Sequence, residues 1–287
     1  MQSVRQSRVS LAACVALGLA ILLCTTVPWL LGDLAPPDAT VRPVKAAAQH
    51  PLDPALRLAR DCQEYIRKDV ADYSAVIIKR ERVKGKLLDH QYLFAKIRNR
   101  KVDGNRVTVP FGVYLKFLKP KSVAGREVIW VDGQNDGKLF AHEGGFKNLF
   151  RVKLDPAGFM AMLGQRYPIS KIGFENLVTE LIQKGQRDRQ RDECLVKFFK
   201  KAKVGERVCT MIEVTHPVER AYFDFYRAQI YIDDELNVPI RYAAWTWPQS
   251  AGGQPELLEE YTYSNLRLNV GLSKKDFDPD NEQYNFP

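Results

Sequence analysis

Residues that carry out acid, base, metal or nucleophilic chemistry are scarce in this chain of 287 residues, which has 4 histidines and 5 cysteines. No H-E-x-x-H sequence, G-x-S-x-G elbow, P-loop or dinucleotide-binding glycine pattern occurs. No histidine stands at a metal-ligand spacing from another; they are His50, His90, His142 and His216. We therefore predict a non-enzymatic protein with no catalytic residue, no metal and no cofactor. A hydrolase of unknown type stays open as a third interpretation, because one sequence does not exclude a cysteine with a distant histidine.

Cysteines are too few for a framework of disulfide bonds. Beyond residue 32 only Cys62, Cys194 and Cys209 remain, and this number is odd. Cys194 and Cys209 fall in successive candidate strands, so one bridge between them is open. A turn near residues 201–206 would not place them opposite each other in a simple hairpin. We predict no essential disulfide, with Cys62 and Cys209 as core residues.

Charge is absent between Arg8 and Asp33, a long stretch near the N-terminus. Residues 11–32 are almost wholly apolar and long enough to cross a ~30 Å hydrocarbon core at ~1.5 Å per residue. The charged residues before this run, Arg5 and Arg8, are both basic. The end of the run around Trp29 is a poor cleavage site for a signal peptidase. We predict that residues 1–32 form an anchor in the inner (cytoplasmic) membrane, with the C-terminal domain in the periplasm. The alternative is a cleaved signal peptide and a secreted or periplasmic product.

The composition changes again after this run. Residues 33–51 are rich in alanine and proline, which predicts an extended linker. Residues 52–287 are long enough for one substantial core, and we predict a single domain there. The net charge of +9 favours anionic lipid headgroups or acidic envelope polymers as contacts. We predict no nucleic-acid partner, and the sequence indicates no oligomeric state.

One acidic turn comes close to a calcium-binding loop. Counted from Asp132, the residues Asp136, Gly137 and Glu143 fall at the fifth, sixth and twelfth positions of the EF-hand template. Gln134 breaks the third position, and the flanking segments read as strands where the template has helices. A tight hairpin turn accounts for these residues without a metal.

Past the linker, the apolar period changes from that of a helix to that of strands. A helix is predicted from Leu56, with Asp53 as its N-cap and Pro54 in its first turn. About eleven strands joined by short turns follow, which is typical of an antiparallel meander. Arg106–Leu118 is the clearest, because its bulky apolar residues alternate. The predicted strands are Tyr73–Val83, Gln91–Arg98, Arg106–Leu118, Glu127–Val131, Lys138–His142, Phe146–Lys153, Cys194–Lys200, Val208–Thr215, Tyr222–Ile232, Pro239–Trp247 and Leu257–Leu268.

Two helices are predicted to interrupt the strands. Asp155 is a candidate N-cap for Pro156–Leu163, and Ser170 is one for Ile172–Lys184, whose apolar residues follow the i, i+3, i+4 rule. Several strands carry bulky residues on both faces, so both faces of the sheet should be covered at least in part. The predicted fold class is α+β: an antiparallel sheet with an N-terminal helix and inserted lid helices, after an N-terminal membrane anchor.

Five segments of the domain carry a family resemblance. They are Val113–Pro120, Gly125–Leu139, Leu154–Gly158, Arg166–Ile169 and Ile232–Tyr242. These segments resemble an uncharacterised bacterial envelope family known as a domain of unknown function. The similarity covers most of residues 55–285, and this resemblance implies no particular activity.

The order of helix, strand meander, inserted helices and further strands resembles the periplasmic lipoprotein carriers and receptors of the LolA/LolB type. This resemblance implies a strongly curved, unclosed barrel whose apolar concave face lies under the lid helices. We therefore expect a membrane-tethered, periplasm-facing protein that binds a lipid or lipoprotein acyl chain. The alternative is a structural or protein-interaction module of the envelope with a filled core. The candidate ligand-binding residues are Phe111, Phe117, Phe159, Met160 and Met162.

Overall fold

The computed structural model describes residues 49–145, 148–250 and 252–287. The predicted anchor and most of the linker lie outside these described residues. No helix in the described ranges is long and apolar enough to cross a membrane. The helices there are α1 (Asp53–Asp69) and α2 (Phe174–Asp188). The strands are β1 (Asp72–Val83), β2 (Lys86–Leu87), β3 (Gln91–Arg98), β4 (Lys101–Asp103), β5 (Arg106–Val109), β6 (Gly112–Lys119), β7 (Glu127–Val131), β8 (Leu139–His142), β9 (Val152–Leu154), β10 (Leu195–Val204), β11 (Arg207–Thr215), β12 (Arg227–Asp233), β13 (Pro239–Trp245) and β14 (Leu257–Leu268).

Twelve strands form one antiparallel sheet with β1 in its middle. From β3, on one side of β1, the chain meanders outwards through β6, β7, β8 and β9. After α2 it enters the sheet at the opposite edge, β10, and returns through β11, β12 and β13 to β14, which pairs with the free side of β1. Among the described residues β9 and β10 do not pair, so the sheet is not closed. The α+β class and the unclosed antiparallel meander are therefore confirmed.

Three clusters of buried apolar side chains surround the sheet. The largest joins α1 and α2 to β1, β3 and β6, and it extends to Leu139 of β8 and Cys209 of β11. The second packs the start of α1 and one face of α2 on β11–β13. We call the sheet face that carries the helices the inner face. A third cluster lies under the C-terminal tail, where Phe277 and Tyr284 pack on Tyr114 of β6.

The first predicted inserted helix, Pro156–Leu163, is wrong. This segment is a series of turns, and a single α-turn bond from the Met162 N–H to the Gly158 carbonyl (3.0 Å) is its most helix-like feature. The Asp155 carboxylate accepts from the Ala157 N–H and closes a local turn. Asp155 therefore begins a turn rather than a helix, and α2 is the one inserted helix of the described ranges.

The strand predicted over Arg106–Leu118 is also wrong as a single element. Pro110 ends β5, because proline offers no amide hydrogen to the ladder. β5 pairs with β4 in a separate two-stranded sheet, while β6 belongs to the main sheet. The alternation of apolar residues thus continues from β5 into β6, and only Pro110 marks the end of one strand and the start of the next.

Several element ends differ from the predictions. Leu52, not Asp53, is the N-cap of α1, and Asp53 instead accepts from the His50 N–H and pairs with Arg189. Gly173, with φ of 103°, is the N-cap of α2, whereas Ser170 lies in a 3₁₀ turn before it. Four strands are shorter than predicted: β8 (Leu139–His142), β9 (Val152–Leu154), β12 (Arg227–Asp233) and β13 (Pro239–Trp245). Two short strands, β2 and β4, were not predicted.

Candidate functional site

An apolar cavity of about 70 Å³ lies between α1, α2 and strands β11–β13. Aliphatic side chains from all three sides form most of its wall. The charged residues in its lining are Lys184 and Asp188 of α2. The aliphatic lining includes Leu56, Ala59, Val178, Ile212, Ala228 and Ile230. Such a lining suits an apolar ligand, although the volume is below the roughly 300 Å³ of small-molecule pockets.

Small residues bring the two helices together beside this cavity. A Cβ on Gly185 of α2 would lie 2.9 Å from Leu56 Cδ2 of α1, closer than side chains normally approach. Ala55 and Ala59 of α1 also face the cavity. The helix pair is therefore packed tightly at Gly185, and the alanines leave the adjacent space open.

A buried cluster of charged and polar side chains occupies the inner face at the end of β1 and the start of β14. Glu81 and Glu259 lie directly opposite each other in the register, and both are buried. Lys79 Nζ is 2.8 Å from Glu81 Oε2. The Tyr261 hydroxyl donates to Glu81, and Arg166 Nε lies 3.0 Å from Glu259 Oε2. Two carboxylates thus face two cations in a desolvated environment.

The same cluster fastens the loop that precedes α2. Gln165 accepts a hydrogen bond from buried Lys79, and the Arg166 N–H donates to Glu81 at 3.2 Å. The Tyr167 hydroxyl donates to Glu259 at 3.1 Å. Three successive residues are therefore bound to side chains of the inner face.

The charged form of Glu259 is disfavoured in this cluster. Burial raises the pKa of Glu259, and Glu81 adds to the increase, while Arg166 and Tyr167 act in the opposite direction. Burial also raises the pKa of Tyr261 well above its usual range. The cluster therefore keeps Tyr261 neutral and able to donate, and it makes Glu259 easier to protonate than an exposed glutamate.

The polar cluster and the apolar cavity share one row of inner-face residues. Glu81 pairs with Glu259, Glu259 with Ala244, Ala244 with Ala228, and Ala228 with Val214. Neighbouring strands are ~4.8 Å apart, so Glu259 and the cavity-lining Ala228 lie two strands, or about 10 Å, apart. Only the side chain of Ala244 stands between them in this row. The candidate site therefore has a charged end and an apolar end.

The structure does not bring the five predicted ligand residues together. Phe111 and Phe117 are buried in the largest core cluster, where Phe111 meets Trp130 edge-on. Phe159 and Met160 are exposed, and Met162 is half-buried. None of the five lines the cavity between the helices and β11–β13. Their role in ligand binding stays a prediction.

A histidine and a carboxylate form a buried pair beside the cavity. His216 Nε2 is 3.5 Å from Asp188 Oδ2, and His216 Nδ1 is 3.0 Å from the Phe225 carbonyl oxygen, so Nδ1 carries the hydrogen of the neutral ring. The Phe223 ring stacks on the imidazole at 3.8 Å. Burial lowers the pKa of His216 despite the nearby Asp188. The neutral imidazole is therefore favoured in this packed environment.

The cysteines of the described ranges have the character of core residues. Cys62, Cys194 and Cys209 are buried free thiols, and Cys209 pairs in register with Ala202 rather than with Cys194. Burial raises the pKa of Cys62 to about 12 and those of Cys194 and Cys209 to about 11. A nucleophilic cysteine needs the opposite shift, because the thiolate is the reactive form.

The acidic segment after Asp132 is the turn between β7 and β8. Asn135 and Asp136 have φ values of 53° and 56°, as a tight turn requires, and Glu143 pairs with Arg126 at 2.8 Å. Within the described ranges no group of three histidine, cysteine, aspartate or glutamate residues could hold a metal ion. The hairpin interpretation of these residues therefore agrees with their geometry.

Sequence reasoning missed the buried polar cluster, although β1 contained a signal for it. Lys79 and Glu81 occupy the same alternate positions as Tyr73 and Ile77, which lie on the buried face. Strand alternation alone would have turned both charges inwards. The partner Glu259 had no comparable local signal, because its position follows from the pairing of β1 with β14.

The family with the description "Protein of unknown function (DUF1571)" matches residues 70–286. The chain belongs to this family. The match includes most of the described domain and all five segments on which the resemblance was based, so the prediction of a family of unknown function is confirmed. No curated protein matches the chain.

Several solved structures are similar to this chain at low sequence identity. A DUF1329 family protein from Desulfovibrio piger has 14% identity over 80% of this chain and 98% of that chain, with a TM-score of 0.38. Lipoprotein LppX from Mycobacterium tuberculosis has 14% identity over 79% of this chain and 100% of that chain, with a TM-score of 0.41. LolA superfamily protein NE2245 from Nitrosomonas europaea has 9% identity over 78% of this chain and 97% of that chain, with a TM-score of 0.30. Likeness at this distance assigns no ligand to the chain.

Proposed function

We propose that this protein binds the acyl chain of a lipid or lipoprotein between its helices and β11–β13, without a catalytic step. The observation that supports this most directly is the apolar cavity at that place, whose lining is apolar except at the end of α2. Burying a hydrocarbon chain there would remove apolar surface of both partners from water. Most of the acyl chain would need no ion pair with the protein.

The charged end of the row provides a natural boundary for such a ligand. Arg166 and Lys79 lie beyond Ala244, where the polar end of an amphipathic molecule would come to rest. The cavity of about 70 Å³ accommodates only a few methylene groups. Uptake of a full acyl chain therefore requires α2 to move away from α1, and the contact of Gly185 with Leu56 is among those that must separate.

The proposed place of action follows from the N-terminal sequence. We propose that residues 11–32 hold the protein in the inner (cytoplasmic) membrane and that the domain works in the periplasm. An acyl-chain site beside a bilayer would exchange lipid with that bilayer directly. Release of a periplasmic or secreted product after cleavage remains the alternative for this part of the proposal.

Uptake of a fluorescent fatty acid by the delipidated full-length protein tests the function. In Ala59→Leu the larger side chain fills the cavity and a good helix former is retained, so uptake should fall at least tenfold with an unchanged circular dichroism spectrum. Ala55→Leu serves if Ala59→Leu does not fold. Ala221→Leu, at an exposed position away from the cavity, is the matched control and should bind like the wild type. Equal uptake by all variants, or none by the wild type, would contradict the proposal.

A second candidate function is supported by the small volume of the same cavity. A space of about 70 Å³ is also what an ordinary packed interior with one defect would contain. The protein would then be a structural or interaction module of the envelope whose surface binds a protein. Absence of fatty-acid uptake in the wild type, with no lipid detected by mass spectrometry after purification, would favour this function.

A further inference from the structure

Large apolar side chains are exposed in the loop that links β9 to the polar cluster. Phe159 is 70% exposed, Met160 62% and Leu163 48%. Single exposed apolar residues are common on protein surfaces, but three within five positions of one loop form a continuous apolar edge. We call residues 155–164 the apolar loop.

Contacts at both ends hold the apolar loop in place. It follows directly after β9, which pairs with β8 in the main sheet, and Asp155 accepts a hydrogen bond from the Ala157 N–H at its start. Immediately after it, Gln165 and Arg166 bind the buried Lys79, Glu81 and Glu259. The exposure of the apolar side chains is therefore a feature of an anchored conformation, and these residues remain exposed while the domain is folded.

Basic side chains flank the apolar loop. Lys84 in the turn between β1 and β2 places its Nζ 6.0 Å from the centre of the Phe159 ring. Leu88, just beyond that turn, lies beside Gly164 at the other end of the loop. Lys84 and Lys86 are exposed, and in the described ranges neither has an ion-pair partner. Apolar residues among lysines without acidic partners match a surface with negative headgroups over an apolar interior.

We propose that the apolar loop and the β1–β2 turn dock the folded domain on an anionic lipid bilayer. Phe159, Met160 and Leu163 enter the boundary between headgroups and acyl chains, and Lys84 and Lys86 contact the negative headgroups. The bilayer fits this edge better than a protein groove does, because the apolar side chains project from a loop with lysines beside them. The proposal does not depend on a ligand in the cavity, so each can fail without the other.

The test uses the full-length chain in nanodiscs, with a tryptophan introduced at the tip of the apolar loop. Phe159→Trp is compared with Val218→Trp, which puts the same side chain at an exposed position in the loop between β11 and β12. The signal is the emission added to that of the 4 native tryptophans. The discs contain brominated phosphatidylcholine either alone or with phosphatidylglycerol, and bromine quenches a tryptophan that enters the bilayer.

We expect the added emission of Phe159→Trp to fall at least twofold in discs with phosphatidylglycerol, and that of Val218→Trp to stay unchanged. Adding Lys84→Glu and Lys86→Glu should lower the ratio of docked to undocked domain about 25-fold or more, since each lysine near an anionic surface contributes about fivefold. Lys274→Glu with Lys275→Glu makes the same charge change at exposed positions of the C-terminal tail and should have little effect.

Three results would overturn the proposal. The first is an absence of quenching at position 159, and the second is equal quenching at position 218. The third is an emission change at position 159 that appears without anionic lipid and grows with protein concentration, because that result would assign the apolar loop to a second copy of the chain.

Discussion

Two buried carboxylates of this domain respond to folding in opposite directions. Burial opposes the charge of Asp233, but Arg207 and the N–H groups of Glu235 and Leu236 outweigh it and lower the pKa. Burial of Glu259 is not outweighed, and its pKa is raised. The difference lies in the donors: Asp233 closes a turn in which backbone donors converge, whereas Glu259 shares its surroundings with a second glutamate.

Glu259→Gln should gain stability relative to the wild type as the pH rises. A carboxyl group with a raised pKa in the folded state favours that state only while it is protonated, so its stabilisation is lost as the pH rises through the folded pKa. Glutamine imitates the protonated form at every pH. The measurement is the free energy of unfolding in urea between about pH 4 and pH 7. For Glu256→Gln, at a half-exposed position, the free energy of unfolding should change with pH as it does in the wild type. The same pH dependence for Glu259→Gln would refute the raised pKa of Glu259.

Asp233→Asn should show the reverse pH dependence. The lowered pKa of Asp233 stabilises the folded state above the pKa of the unfolded chain, and this stabilisation disappears as the pH falls. At neutral pH we expect the variant to lose about 2 kcal/mol or more, since charge-assisted hydrogen bonds are replaced. The loss should shrink in acid when measured by urea unfolding. The neighbouring Asp234→Asn, at an exposed position, is the control, and an equal loss there would rule out the buried turn as the cause.

The buried thiols should be inert in the folded protein. A pKa of about 12 for Cys62 lowers its thiolate population about a thousandfold compared with an exposed cysteine. Alkylation at about pH 8 followed by peptide mass spectrometry should leave Cys62, Cys194 and Cys209 unmodified, and the same peptides should react in urea. Rapid modification of Cys194 in the native protein would revive the hydrolase interpretation, because it would reveal an activated thiol near Asp188, the partner of His216.

At the level of elements, sequence patterns were reliable where local and tertiary preferences agreed. The predicted bounds of β3, β7 and β14 match the structure, since their alternation continues without a proline or glycine. The Pro156–Leu163 helix failed because the Asp155 side chain forms a turn instead of a cap. The cavity and the polar cluster were not predicted for a different reason: both depend on strand pairings that no local pattern contains.

The close approach of α1 and α2 gives a prediction for one position in α2. Gly185→Leu should destabilise the domain by about 1–3 kcal/mol, because its side chain meets Leu56 where even a Cβ is too close. Gln183→Leu introduces the same side chain at an exposed position of α2 and should change stability by less than about 0.5 kcal/mol. Urea unfolding measures both. A neutral Gly185→Leu would mean that the helices separate easily.

At the scale of the molecule, the C-terminal tail covers part of the sheet face that the helices leave open. Phe277 is buried against β6 and β7, and Tyr284 stacks on Tyr114 with ring centroids 4.0 Å apart. Both faces of the sheet are therefore covered in part, as the bulky residues on alternate strand positions indicated. The sequence did not reveal that the acidic tail, rather than a ligand, provides this cover.

Removal of residues 272–287 should expose this outer cluster. We expect a loss of about 3 kcal/mol or more from the uncovered aromatic surface, with the sheet retained. Urea unfolding and the binding of a fluorescent apolar dye measure the two effects. Asp280→Ala removes only the exposed ion pair with Arg151 and should cost less than about 1 kcal/mol. An unchanged stability after the deletion would show that the tail is dispensable.

The central position of β1 sets the order in which the fold can be completed. A ribosome releases the chain from its N-terminus, so β1 meets β3 early and must wait for β14 to pair with its other side. One long backbone edge in the middle of the sheet therefore stays without its partner until the last strand has been made. The native sheet is completed only after synthesis of the domain is nearly finished, because the strand that fills the free side of β1 is the last one in the chain.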